Sequence, residues 1–142
     1  MTESKYIWMD GEFTPWNEAK VHVLSHTLHY GNGAIEGTKA YKTVDGRCAI
    51  FKLNEHTQRL LNSSKMTLMN VPFSLEELNK AQVELLQKNE LTNGAYIRPL
   101  VYLGYGVMGL YHKDAPVKVS ISAWEWGAYL GEEGLKKGVR VK

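Results

Sequence analysis

The chain predicts an α+β domain, an antiparallel sheet with helices packed on one side, and three observations lead there. Asp-Gly pairs at 10–11 and 45–46 each sit between short runs rich in β-formers, the pattern of a hairpin turn. Two segments, near 54–68 and 74–92, carry helix signals. Two alternating runs, 95–103 and 117–124, then have the two-residue period of half-buried strands. Strands, helices and strands in that order segregate into layers.

Tyr6-Ile7-Trp8-Met9 and Glu12-Phe13-Thr14 flank the first Asp-Gly pair. The second joins 39–44 to 47–53, and both pairs read as two-residue turns because Asp and Gly accept positive φ. Asn54 is a good N-cap for a helix running to about Leu68. The next helix is better marked. Ser74-Leu75-Glu76-Glu77 makes a capping box, and Phe73 with Leu78 makes a hydrophobic staple. Leu75, Leu78, Leu85 and Leu86 form its apolar stripe, and it ends before Asn93-Gly94. In 95–103, Tyr96, Arg98, Leu100 and Tyr102 share one face. In Val117–Trp124, Val117, Val119, Ile121 and Ala123 alternate with Lys118, Ser120 and Ser122. A further strand is expected to begin within 135–142.

Composition narrows the function. With 142 residues, 44% hydrophobic and 11% aromatic, the chain can bury one real core. Seventeen Lys and Arg against fifteen Asp and Glu, spread without blocks, leave +2. That argues against a nucleic-acid surface, which needs a concentrated basic face. No apolar run approaches the roughly 20 residues that span a bilayer, so no membrane association is expected. The start lacks the basic and apolar regions of a signal peptide. Cys48 is the single cysteine, which excludes an internal disulfide, suits a reducing cytoplasm and reads as a buried bystander.

Two motifs tempt and fail. Gly104-Tyr105-Gly106-Val107-Met108-Gly109 matches G-x-G-x-x-G after a strand, and Glu125 stands where a ribose-binding acid would. A dinucleotide site also needs a helix opening inside the motif, and 110–116 is too short before the next strand. His22, His26 and His29 have a helical spacing that could hold zinc. An extended segment suits the region equally well, and no carboxylate offers to orient them, so metal is not expected. There is no Walker loop and no Ser framed as G-x-S-x-G.

His29-Tyr30-Gly31-Asn32-Gly33-Ala34-Ile35-Glu36-Gly37 changes the picture. It resembles the H-Y-G-x-x-x-x-E-G segment of fold type IV pyridoxal phosphate enzymes, branched-chain aminotransferases in particular. Glu55-His56-Thr57-Gln58-Arg59-Leu60 is similar to the family's helix with the phosphate-binding arginine. Ala95-Tyr96-Ile97-Arg98-Pro99 and Trp126-Gly127-Ala128-Tyr129-Leu130-Gly131 resemble two further family segments, and the four stand in family order along nearly the whole chain.

The resemblance implies an amino-terminal domain, residues 1–130, with 131–142 leading toward a carboxy-terminal cofactor domain. Pyridoxal 5'-phosphate is the implied cofactor, held through its phosphate by Arg59. A guanidinium offers a permanently charged, bidentate grip on such an anion. Tyr96 and Arg98 would take substrate carboxylates, Arg98 the distal one of glutamate. Tyr30, Ile35 and Tyr129 would line an apolar side-chain pocket. Met108, Gly109 and Leu110 resemble a loop that reaches the neighbouring subunit's site, which implies at least a dimer. An aromatic is usual where Ile35 stands, so that wall is smaller here. The implied reaction exchanges the amino group between leucine, isoleucine or valine and 2-oxoglutarate. The catalytic lysine falls beyond Lys142 in the family's register, so this chain alone is expected to be inactive. A D-amino-acid aminotransferase or aminodeoxychorismate lyase of the same fold, a non-catalytic interaction domain and a zinc hydrolase are the competing readings.

Overall fold

The computed structural model describes residues 2–126 together with 137 and 138. Tyr129, the expected domain boundary near 130 and most of the strand expected over 135–142 lie outside the described residues.

The first hairpin forms as expected. β1 (Tyr6–Met9) and β2 (Glu12–Pro15) pair with Met9 opposite Glu12 around Asp10-Gly11. Asp10 also accepts a hydrogen bond from the Val119 backbone N–H at 2.8 Å, tying the turn to a distant strand. A 3-10 turn (Trp16–Glu18) follows, then the five-residue α1 (His26–Tyr30).

The second hairpin differs from expectation. β4 (Thr38–Lys42) and β5 (Cys48–Ile50) are joined through Thr43, whose N–H donates to the Arg47 carbonyl at 2.8 Å. The loop is therefore Val44-Asp45-Gly46 rather than two residues. Gly46 supplies the left-handed position, φ 83°, that a three-residue hairpin requires. The Asp45 carboxylate accepts from the Thr43 hydroxyl and, at 2.8 Å, from Arg47 Nε. That leaves Asp45 as a bracket across the loop rather than half of a tight turn.

The start of α2 (Leu53–Met66) is also displaced. Its N-cap is Lys52, φ 53°, and no side chain caps it. The chain turns straight from the hairpin into the helix, so Asn54 falls inside the first turn. There its Oδ1 accepts from Asn79 Nδ2 at 2.5 Å and tethers α2 to α3 (Leu75–Lys88). The capping box on α3 is complete: Ser74 Oγ accepts from the Glu77 N–H, and the Glu77 carboxylate from the Ser74 N–H.

β3 (Gly33–Ile35), β6 (Gly94–Leu103) and β7 (Val117–Trp124) complete a seven-stranded antiparallel sheet of order β2-β1-β7-β6-β4-β5, with β3 also on β6. The core lies between this sheet and α2 and α3. Trp8, Ile97, Val101, Val119 and Ile121 point down from the strands onto Leu60, Leu78 and Leu85. Phe73, expected as a staple, meets the Trp8 ring edge-on at 5.0 Å. Gln82 Nε2 donates to the Thr57 hydroxyl at 3.0 Å inside the helix pair, since a buried amide needs a partner. Asn89 at the α3 C-terminus takes the N–H groups of Lys5 and Tyr6 and donates to the Tyr6 carbonyl, holding β1 in place. Among the described residues, α1 and the segment before it lie on the opposite sheet face. Ile7, Met9, Leu100, Tyr102, Ser25 and Leu28 enclose a cavity of about 200 Å³ there.

Candidate active site

One proline organises the site. β3 and β4 run along the same edge of β6 in one continuous register, with Ile35 opposite Leu100 and Thr38 opposite Ile97. Glu36 and Gly37 therefore stand opposite Pro99 and Arg98. The Glu36 N–H donates to the Pro99 carbonyl at 3.0 Å, but proline has no N–H to return the bond. The ladder breaks there while strand alternation continues. Successive residues must then serve opposite faces: Glu36 the helix side, Ile35 and Gly37 the open side.

On the helix side, the Glu36 carboxylate is nearly sealed from solvent, with 5% of its side chain exposed. Arg59 of α2 grips it bidentately, Nε to Oε1 at 2.5 Å and Nη2 to Oε2 at 2.8 Å. His56, one helical turn earlier, brings Nδ1 to Oε2 at 2.8 Å. Burial alone would push the Glu36 carboxyl up. The hydrogen bonds and charge of Arg59 and His56 outweigh it and hold the carboxyl below its ordinary range. The Arg59 side chain remains 65% exposed. Two of its five N–H groups are used by Glu36, Nη2 also lies 3.4 Å from His56 Nδ1, and Nη1 has no partner among the described residues, which leaves it for an anion.

On the open side, Tyr96 and Arg98 lie together on β6, Arg98 Nη2 donating to the Tyr96 hydroxyl at 2.8 Å. Trp124, opposite Tyr96 on β7, and Trp126 pack around the tyrosine at ring separations of 5.2 and 4.7 Å. Gly37 is required here. A Cβ on it would come within 2.3 Å of the Tyr96 hydroxyl oxygen. Arg98 Nε is buried with no hydrogen-bond partner among the described residues, a donor in want of an acceptor. Ile35 shares this face and is exposed.

The loop after β6 is clasped by α1. The His26 backbone N–H donates to the Gly104 carbonyl at 3.1 Å, and its ring Nε2 donates to the Gly109 carbonyl at 2.7 Å. Gly109 in turn donates its N–H to the Tyr30 hydroxyl at 3.0 Å. Thus Tyr30 and Gly109, predicted separately, meet. Met108 and Leu110 on either side of Gly109 stay exposed. G-x-G-x-x-G opens no helix, in keeping with the rejected dinucleotide reading. The three histidines do not converge as metal ligands. His22 accepts from the Leu24 N–H, His26 is the clasp, and His29 donates to the Val23 carbonyl. No metal-ligand cluster occurs among the described residues.

Sequence reasoning missed the roles of Glu36, Trp124, Trp126 and His26. Glu36 and Trp126 stood inside quoted motifs, so their segments were legible though their partners were not. Trp124 ended a predicted strand and His26 stood in the helically spaced histidines, but neither pattern pointed to its partner.

This arrangement has relatives. The family model for amino-transferase class IV matches residues 33–142, and the chain belongs to that family. It is 48% identical over 136 residues to the branched-chain-amino-acid aminotransferase of Pseudomonas aeruginosa, covering 96% of this chain and 44% of the relative. The Escherichia coli enzyme of the same name is 44% identical over 146 residues, covering 98% of this chain and 45% of the relative. Among solved structures, the Escherichia coli branched-chain amino acid aminotransferase superposes with a TM-score of 0.88 at 43% identity, over 96% of this chain and 44% of that one. The T.th. branched-chain amino acid aminotransferase, solved with pyridoxamine 5'-phosphate, gives 0.85 at 46% identity, over 94% and 43%. The chain spans less than half the length of these relatives.

Proposed function

We propose that the chain forms the first part of a pyridoxal phosphate-dependent transaminase exchanging the amino group between branched-chain amino acids and 2-oxoglutarate. The observation that carries this reading is the Arg98–Tyr96 pair, a half-buried arginine whose enclosed Nε has no partner among the described residues, beside a hydroxyl and an aromatic wall. Such a site takes a carboxylate by charge-assisted hydrogen bonds and an apolar side chain by burial. The residues fit the cofactor too, since Arg59 keeps a free guanidinium edge for its phosphate. When bound, pyridoxal phosphate supplies a ring that accepts electrons as the amino group is transferred.

In this reading Arg59 holds the phosphate, and Arg98 with Tyr96 orients the substrate carboxylates, the distal one of glutamate on Arg98. Tyr30, Ile35 and Tyr129 bound the side-chain pocket. Met108, Gly109 and Leu110, braced by Tyr30 and His26, extend into the site of a second subunit, so the working protein is at least a dimer, placed in the cytoplasm. The catalytic lysine lies beyond Lys142, and residues 1–142 alone do not turn over. In support, the Escherichia coli and Pseudomonas aeruginosa relatives bear the branched-chain name, and one solved relative carries pyridoxamine phosphate.

The test is to express the gene continued past the Lys142 codon and assay leucine with 2-oxoglutarate, beside residues 1–142. Turnover by the longer protein alone is expected. Turnover by 1–142, or a longer protein preferring D-amino acids or releasing pyruvate from aminodeoxychorismate, would overturn the reading.

A further inference from the structure

We infer that Glu36 is the positioning residue for the phosphate site: it fixes which edge of Arg59 meets the anion. The inference rests on the cofactor reading above and deepens it. The starting point is the asymmetry of the pair. Arg59 is largely exposed and could satisfy its donors with water, whereas Glu36 is enclosed and depends on protein donors. A long arginine on a helix surface samples many rotamers, and an anion that captures it must first freeze them. Here that ordering is already done. Glu36 takes Nε and one N–H of Nη2, and Nη2 also lies 3.4 Å from His56 Nδ1, so the Nη1 pair is the edge offered outward.

His56 completes the seat. Its Nδ1 lies against the same Oε2 that Arg59 Nη2 uses, so the carboxylate is held from two points on α2 and cannot swing with the arginine. Glu36 is itself placed by its N–H to Pro99, and the next residue, Gly37, touches the Tyr96 hydroxyl position from the other face. Adjacent residues thus border the phosphate donor on one face and the substrate-carboxylate donors on the other. A negative charge behind Arg59 weakens its pull on a phosphate. The expected gain from fixed geometry exceeds that loss, because bidentate contacts depend steeply on alignment.

The measurement is the ratio of dissociation constants for pyridoxal, which lacks the phosphate, and pyridoxal phosphate, followed by absorbance in the full-length protein. General loosening of the fold weakens both ligands and leaves the ratio alone. A wild-type ratio near one would remove Arg59 as phosphate ligand, a failure of the functional reading itself. Given a large wild-type ratio, Glu36→Gln is expected to lower it about tenfold, the scale of one charge-assisted bond. Pyridoxal binding should change little. Glu36→Asp, which keeps the charge and folds under milder perturbation, should fall between. Arg59→Lys combined with Glu36→Gln should be no worse than Arg59→Lys alone, since the two act as one unit. A ratio unchanged or raised in both Glu36 variants, or independent additive losses in the double variant, would overturn the inference.

Discussion

The two faces of β6 differ in what surrounds an otherwise similar backbone. On the helix side Ala95, Ile97 and Val101 are sealed against α2 and α3. On the open side Tyr96, Arg98 and Leu100 remain half-buried, and one of the Arg98 donors is unpaired among the described residues. The buried charge on the helix side, Glu36, is met by two donor side chains. The contrast separates two ways of using burial. One face pairs its buried charge internally and supplies stability. The other leaves a demand open, which is a condition for binding.

The largest expected break in this contrast is Ile97→Ala, which opens a cavity in the sealed layer and should cost about 3–4 kcal/mol in urea denaturation. Ile35→Ala on the open face should cost under about 1 kcal/mol, because that side chain is already exposed. Next comes Arg98→Lys, which, under the proposed transaminase reading and in the protein continued past Lys142, is expected to lower kcat/KM for 2-oxoglutarate by about 100-fold while shifting the unfolding midpoint little, since a point charge cannot replace the planar fork. Equal losses in stability and activity would show that Arg98 is a structural strut.

A smaller effect concerns acid. The Glu36 carboxyl is held below its ordinary value near 4.5. A lowered folded value adds stability above the unfolded one and loses it as pH falls through the folded value. Wild type should therefore lose stability more steeply than Glu36→Gln as pH falls below about 4.5. Parallel curves would remove the Arg59–His56 seat as a source of stability. The smallest break is Ser74→Ala, which removes half of the capping box and should cost about 1 kcal/mol by denaturation, with activity unaffected.

Much of this architecture was readable from local pattern. Asp10-Gly11, the Ser74–Glu77 box and the shared face of Tyr96 and Arg98 depend on neighbours within a few residues, and each formed as read. The errors arose where a distant contact outweighed a local preference. Asn54 looked like a cap, but the hairpin delivers the chain at Lys52, and Asn54 serves Asn79 instead. Asp45-Gly46 looked like a whole turn, but Thr43 and Arg47 close a longer one.

The site divides along the same line. Residue type and two-residue period placed an arginine and a tyrosine side by side, and the family segments named Arg59, Tyr30 and the 108–110 loop as its companions. Short-range periodicity decides direction, and direction is all that it decides. That Glu36 would meet Arg59 across 23 positions of sequence, that Pro99 would turn Glu36 and Gly37 to opposite uses, and that His26 would clasp Gly109 across 83 are consequences of packing. Each needs the sheet to close on the helices first, because only then does a buried carboxylate or imidazole have to find its partner.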